Sequence, residues 1–397
     1  MNKWLLVVLL LGSCTMFVPD ISDTFGYDRD FLRRHDTGLI VLGHGDVEVV
    51  VSPKYQGKVF TSTDSGISGP SFGWIHYKAF DGPLDAHMNA YGGEDRLWLG
   101  PEGGRFSLFF PPGAKMEFAN WKTPAAFDSD PWRVIAHTDS TVQLRKDMQL
   151  VNYAGTRLSI MVNRWIAVIR RSSIDSLLGI GGDTGVTVVA YNTVNTLTNT
   201  GTKAWTDSTG MPCIWQLDML NPSPNATIVI PFSSTPRDTS KPATTDYFGE
   251  IPADRIKIVD SVIYFKADGK SRGKLGIHPF RAKDFAGSYD AERHLLTIIA
   301  FQLDPQGRYL NQEWNTVKPP FSGDAMNAYN DGPLADGSQM GPFYELESVS
   351  PAALLAPGGM LVHGHAVFHF TGSEAGLDIV ARKVLGVSIN QIKAVFH

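Results

Sequence analysis

The chain is poor in cysteine, poor in charge and poor in helical periodicity. With 2 Cys in 397 residues it is no disulfide-stapled scaffold, so its stability has to come from core burial. Charged residues make up 19%, with a net charge of −5 and no basic block, and a nucleic-acid partner is therefore not expected. No fixed repeat runs through the sequence, which excludes collagen-like and coiled-coil architectures. The N-terminal apolar run Trp4–Leu11 falls well short of the about 20 residues that cross a bilayer. What is abundant points to a large folded body. The content of 43% hydrophobic and 11% aromatic residues excludes intrinsic disorder. The 39 Gly and 24 Pro favour many short strands and turns over long helices.

Lys3 followed by Trp4–Leu11 reads as the start of a secretion signal. Leu11-Gly12-Ser13-Cys14 matches a bacterial lipobox, in which the cysteine is lipidated and becomes the new N-terminus. Residues 1–13 are thus expected to be a cleaved signal, Cys14 the lipid attachment site, and residues 14–30 a tether holding the protein to a bacterial membrane, facing the periplasm or the cell surface. Loss of Lys3 lowers Lys+Arg from 35 to 34 against 40 acids, a mature charge of −6. Cys213 then stands alone, in the apolar run Met211-Pro-Cys-Ile-Trp215, and reads as a buried structural thiol.

Strand-like runs follow at close spacing: Leu39–Leu42, Val47–Val51, Lys58–Thr63, Trp74–Tyr77, Phe106–Phe110, Thr141–Leu144, Leu158–Ile169, Val186–Tyr191, Thr227–Ile230, Ile256–Phe265, Leu295–Leu303 and Met360–Phe370. Asp-Gly, Pro-Gly and Asn-Pro signals separate them. One helix is expected near the end, where Leu377, Val380, Ala381, Val384 and Leu385 follow a 3.6 period between a Ser373 cap and a Gly386 stop. Length alone would allow two or three domains, but no break in composition divides the chain. The expectation is all-β: one large antiparallel β-sandwich over residues 31–397 with a short C-terminal helix.

The richest stretch chemically is Asn89–Gly104, which sets Asn89, Tyr91, Glu94, Asp95, Arg96, Trp98 and Glu102 among five glycines. Aromatic faces stack on sugar rings, and carboxylates, Asn and Arg bind hydroxyls, so these residues are candidates for carbohydrate binding. Asn327, Tyr329, Asn330 and Asp331 form a second such cluster, and Asp85–Tyr91 echoes Asp324–Tyr329 weakly. Lys274 and Arg281 flank His278 in a loop with two cations that suit an acidic sugar or are simply solvated. His363, His365 and His369 share one face of a strand. The pair His363 and His365 is a weak metal candidate, well short of a zinc signature, and a polar sandwich face is the plainer reading. Gly69-Pro-Ser-Phe-Gly73 matches the nucleophile-elbow letters by chance, since a strand rather than a helix is expected after it. No cofactor is expected.

The order Gly92-Gly93-x-x-Arg96-Leu97-Trp98-x-x-Pro101-Glu102, then Asn192–Gly201, then Tyr344–Pro351 with Leu355–Gly359, resembles the galactose-mutarotase-like (aldose 1-epimerase) superfamily. Within it, the chain is most similar to an uncharacterised family of lipoproteins from Bacteroidota. The likeness spans roughly residues 40–370 and implies a β-supersandwich and a carbohydrate ligand. It also implies acid–base opening of a sugar ring by a His and a Glu. The matching base is Glu347, with Glu345 as runner-up; two apart on a strand, they share a face about 7 Å apart. The family's His has no counterpart after Tyr191, where Asn195 stands instead, so His87 or His278 would have to serve. Three functions are open: a mutarotase- or epimerase-like enzyme, a non-catalytic glycan-binding lipoprotein, or a hydrolase or lyase using paired carboxylates such as Glu94 and Glu347.

Overall fold

Alternation decides which way each strand faces. In Val186–Asn199 the residues Val189, Tyr191, Thr193, Asn195, Leu197 and Asn199 are buried, while Asn192, Val194, Thr196 and Thr198 between them stay partly open. The strand sits near the middle of a ten-stranded antiparallel sheet, between Arg157–Val168 and Met360–Gly372. Its inner face packs on a five-stranded antiparallel sheet with the order Gly273–Ile277, Met326–Asn330, Tyr344–Val349, Cys213–Leu220, Arg96–Gly100. A three-stranded sheet, Ile40–His44, Val47–Ser52 and Lys58–Thr63, flanks the sandwich. This computed structural model describes residues 24–180, 184–234 and 241–396. Among them, no helix is long and apolar enough to cross a membrane.

The outer face of the large sheet is covered at one end. Val188, Ala190, Phe368 and Phe370 meet Leu377, Val380, Ala381 and Leu385 there. The first three of these lie on the helix Glu374–Val384 and Leu385 is its C-cap; the Ser373 hydroxyl accepts from the Gly376 N–H, and Gly386 follows at φ +74°. A second short helix, Ile389–Ala394, begins at a capping box of Ser388 and Gln391 and adds Ile389 and Ile392 to the same cluster.

Several expected elements differ. Ile256–Phe265 is a hairpin of Ile256–Val259 and Val262–Lys266, turned at Asp260 and Ser261, both at positive φ, as a two-residue primed turn requires. Trp74–Tyr77 forms no strand: single bridges join Gly73 to Leu220 and Ile75 to Gly92, before a 3₁₀ turn at Tyr77–Phe80. Phe106–Phe110 is a loop. Its residues are all buried among other aromatics, and a run buried on every side has no period by which to tell strand from loop. The tether expectation fails from residue 25 on. Phe25–His35 is a helix capped by Thr24, and its Phe25, Phe31 and Leu32 are buried against Val50, Tyr55 and Phe60. The signal, Cys14 and the tether up to residue 23 lie outside the described residues.

Candidate functional site

The outward face of the five-stranded sheet carries a row of charge. Register places Arg96 and Glu347 on either side of Leu217, with Asn327 beyond Glu347; one step along, Lys274, Tyr329, Glu345 and Met219 lie side by side. Positions two apart share a face, so these residues all project the same way. Arg96 Nη2 is 2.5 Å from Glu345 Oε1, and its guanidinium lies over the Trp98 ring at 4.9 Å. Lys274 Nζ is 3.0 Å from Glu347 Oε2 and 4.5 Å from the centre of the Trp215 ring. The Trp215 indole N–H donates to the same Glu347 oxygen at 2.8 Å. Burial drives the Glu345 carboxyl above the usual range, against Arg96 and with the nearby Glu347 charge.

A cleft of about 870 Å³ lies over this row. Lys274, Glu102, Tyr329 and Asp331 line it, with Asn89 and His87 at its side. Tyr329 donates to Asp331 Oδ1 at 2.5 Å. Burial raises the Glu102 carboxyl, against the pull of Lys274. His87 stacks on Phe118 at 4.5 Å, and its Nδ1 lies 2.6 Å from the Trp121 carbonyl. Asn89 is held by Asp128 through both its backbone N–H and its amide. Glu347 itself is completely covered, with Oε1 unpartnered, and both polar atoms of the Asn327 amide are buried without a partner. Gly276, paired with Asn327, allows that crowding: a Cβ there would sit 2.1 Å from Asp324 Oδ2 and 2.8 Å from Asn327 Oδ1. Asp324 accepts from Tyr247 at 2.7 Å, and burial lifts its carboxyl to about 6 against that hydrogen bond.

Other expected site residues lie elsewhere. Asp95 precedes Arg96 and so leaves the backbone on the opposite side. It meets Arg164 at 3.0 Å in a polar layer buried between the two sheets, where Asn195 and Gln216 also bond Arg164. Glu94 enters the same interior, accepting from Ser62 and lying 3.0 Å from His369. Glu94 and Glu347 therefore do not flank one cleft, which removes that carboxylate pair as hydrolytic partners. His365 lies 2.8 Å from Asp218. Burial works against its charged form, but Asp218 lifts the imidazole above its ordinary value. The Ser348 hydroxyl bridges His363 and His365. Among the described residues no group of three His, Cys, Asp or Glu is placed to hold a metal. Each of these histidines has a protein partner instead.

Tyr91 is buried with Tyr55 and Phe80 beside the N-terminal helix. Asn330 faces inward and fixes a loop through the Gly269 N–H and the Ser271 carbonyl. His278 and Arg281 line a separate depression of about 390 Å³. Sequence reasoning missed His76, Phe118, Trp121, Tyr247, Phe248, Arg272, Gln312 and Trp314 on the cleft. Their only signal was aromatic residues set in polar, aperiodic loops. Cys213 is buried as expected, and burial pushes its thiol up to about 12.

Two solved structures share this architecture. A candidate aldose 1-epimerase from Escherichia coli K12 is 12% identical, with a TM-score of 0.50 over 83% of this chain and 98% of that one. The Slr1438 protein from Synechocystis sp. PCC 6803 is 13% identical, with a TM-score of 0.51 over 84% and 96%. The fold is therefore the aldose 1-epimerase-like β-supersandwich expected from the sequence. No curated protein matches the chain. A family model covers almost all of it, residues 23–396, and by that match the chain belongs to the family of unknown function DUF6786.

Proposed function

We propose that the cleft over the five-stranded sheet binds carbohydrate and that the chain is a lipid-anchored carbohydrate-binding protein of a bacterial envelope. One observation carries the reading. Rings of Phe118, Phe248, Tyr329 and Trp314 and the polar groups of Asn89, Glu102, Gln312, Lys274 and Asp331 converge on a single cleft. That is the mixture a sugar demands, flat apolar faces for its C–H surfaces and paired donors and acceptors for its hydroxyls. Lipid attachment rests on the lipobox alone, and labelled palmitate incorporated by wild type but not by C14S tests it.

A mutarotase-like activity is the second reading, favoured by the charged row beneath the cleft. Ring opening needs one group to protonate the ring oxygen while another takes the proton of the anomeric hydroxyl. Glu347 is the base in that scheme. Glu347 is completely covered, with Lys274 and the Trp215 N–H on its Oε2, so in this scheme the site opens before the sugar reaches it. NMR exchange kinetics on a panel of aldoses separate the two readings. A catalyst accelerates anomer interconversion and loses roughly 10²-fold or more in E347Q; equal rates for wild type, E347Q and buffer leave recognition without catalysis. Titration of the same panel by calorimetry tests recognition itself, and heat-silent titrations with every sugar would remove it.

A further inference from the structure

Two aromatic rings at the cleft are exposed. Phe118 is 61% exposed and Phe248 41% exposed. Neither ring is loose. Phe118 is stacked on Trp121 at 6.1 Å and 19° and on His87 at 4.5 Å. Phe248 is braced edge-on by Tyr329 at 6.0 Å, and the Arg272 guanidinium lies 3.8 Å from its ring centre. Both rings are thus held as fixed faces, which lowers the ordering cost of anything that stacks on them.

The two rings are anchored at opposite edges of the sheet. Phe118 belongs to the edge strand Arg96–Gly100, through Trp121 and the contact of Trp121 with Trp98. Phe248 belongs to the opposite edge, Gly273–Ile277, through the bridge of Thr244 to Gly276 and through Arg272. Four inter-strand spacings of about 4.8 Å separate these edges, about 19 Å in all. That edge-to-edge span exceeds the width of a single pyranose ring. The cleft volume of about 870 Å³ also lies near the top of the roughly 300–1,000 Å³ range of ligand pockets. Between the two rings the floor is polar, with Lys274 and Glu102 lining it.

We infer that the ligand is an oligosaccharide of about three or more sugar residues, laid across the sheet with outer rings stacked on Phe118 and Phe248 and a middle ring hydrogen-bonded at the floor. This rests on the carbohydrate reading above and names the class of ligand within it.

The test is a printed array of mono- to hexasaccharides, neutral and acidic, probed with the lipid-free protein and with F118A, F248A and the double variant. Both residues are exposed, so the variants are expected to fold, and their melting curves check it. The inference expects binding to strengthen with chain length up to about three residues. It expects each single variant to lose roughly tenfold against the longer glycans and the double variant to fall to the level of a monosaccharide. Binding that does not depend on chain length, or a length dependence intact in the double variant, overturns it. Wild-type binding to no saccharide of any length overturns the carbohydrate reading itself, and this inference with it.

Discussion

Arg164→Ala is the sharpest test of how the sandwich is held together beneath the site. The guanidinium is completely buried, 3.0 Å from Asp95 Oδ1 and within 3.4 Å of the Asp95 carbonyl, Asn195 Oδ1 and Gln216 Oε1. Removing it leaves the Asp95 carboxylate, also fully buried, with Gln216 Nε2 at 2.6 Å as its remaining side-chain donor. Breaking one side of such a pair costs about 3–5 kcal/mol, because an uncompensated charge stays in the interior. At about 2.1 cal/mol/K per residue the folded body carries an unfolding entropy of roughly 0.8 kcal/mol/K, so the melting point should fall by about 4–6 °C. The double variant R164A/D95A removes the stranded charge and should be more stable than the sum of the two single losses, with a coupling of about 1–3 kcal/mol. Urea unfolding followed by tryptophan fluorescence gives all three numbers. A loss under about 1 kcal/mol at unchanged m-value, or strict additivity, would refute the reasoning. The site should respond too, since Asp95 and Arg96 leave adjacent backbone positions towards opposite faces, and a loosened Asp95 unsettles the Arg96–Glu345 pair.

Two further expectations concern other parts of the fold. Phe25 is completely buried in the helix–sheet contact, so F25A should cost about 3–5 kcal/mol; an unchanged urea midpoint would mean that the helix is only an appendage. Burial, with His365 beside it, holds the His363 imidazole down to about 3, whereas the unfolded ring titrates near 6.5. Between those values the unfolded chain binds a proton that the folded chain refuses. The associated stability is thus complete above about 6.5 and is lost as pH falls towards 3. H363Q, which keeps a partner for the Ser348 hydroxyl, should therefore lose less melting temperature than wild type between about pH 7 and pH 5, and parallel pH profiles would count against the assignment.

Strands were legible where β-branched and aromatic residues cluster between turn signals, as at Val186–Tyr191 and Met360–Phe370, and Ser373 and Gly386 marked the ends of a helix. The helix Phe25–His35 was not legible, because its buried Phe25, Phe31 and Leu32 are spread among six charged and histidine side chains. The site was harder still, for a reason visible in Glu94-Asp95-Arg96. Three consecutive charged residues look like one polar loop, yet Glu94 and Asp95 enter the interior and Arg96 faces the cleft. Sequence patterning assigns faces by contrast between apolar and polar positions. Here the interior holds its own polar layer of Arg164, Asp218, His365 and His369, so the contrast vanishes just where the charged row begins. The same layer made His363 and His365 a weak metal candidate, although a polar sandwich face was the plainer reading and is where His365 meets Asp218. What separates interior from cleft is register: Glu347 and Arg96 flank Leu217, whereas Ser348 and Leu97 flank Gln216 one step away. That single-residue offset sends Glu347 and Arg96 to the cleft and Ser348 and Gln216 to the buried layer, and it exists only once the strands are paired.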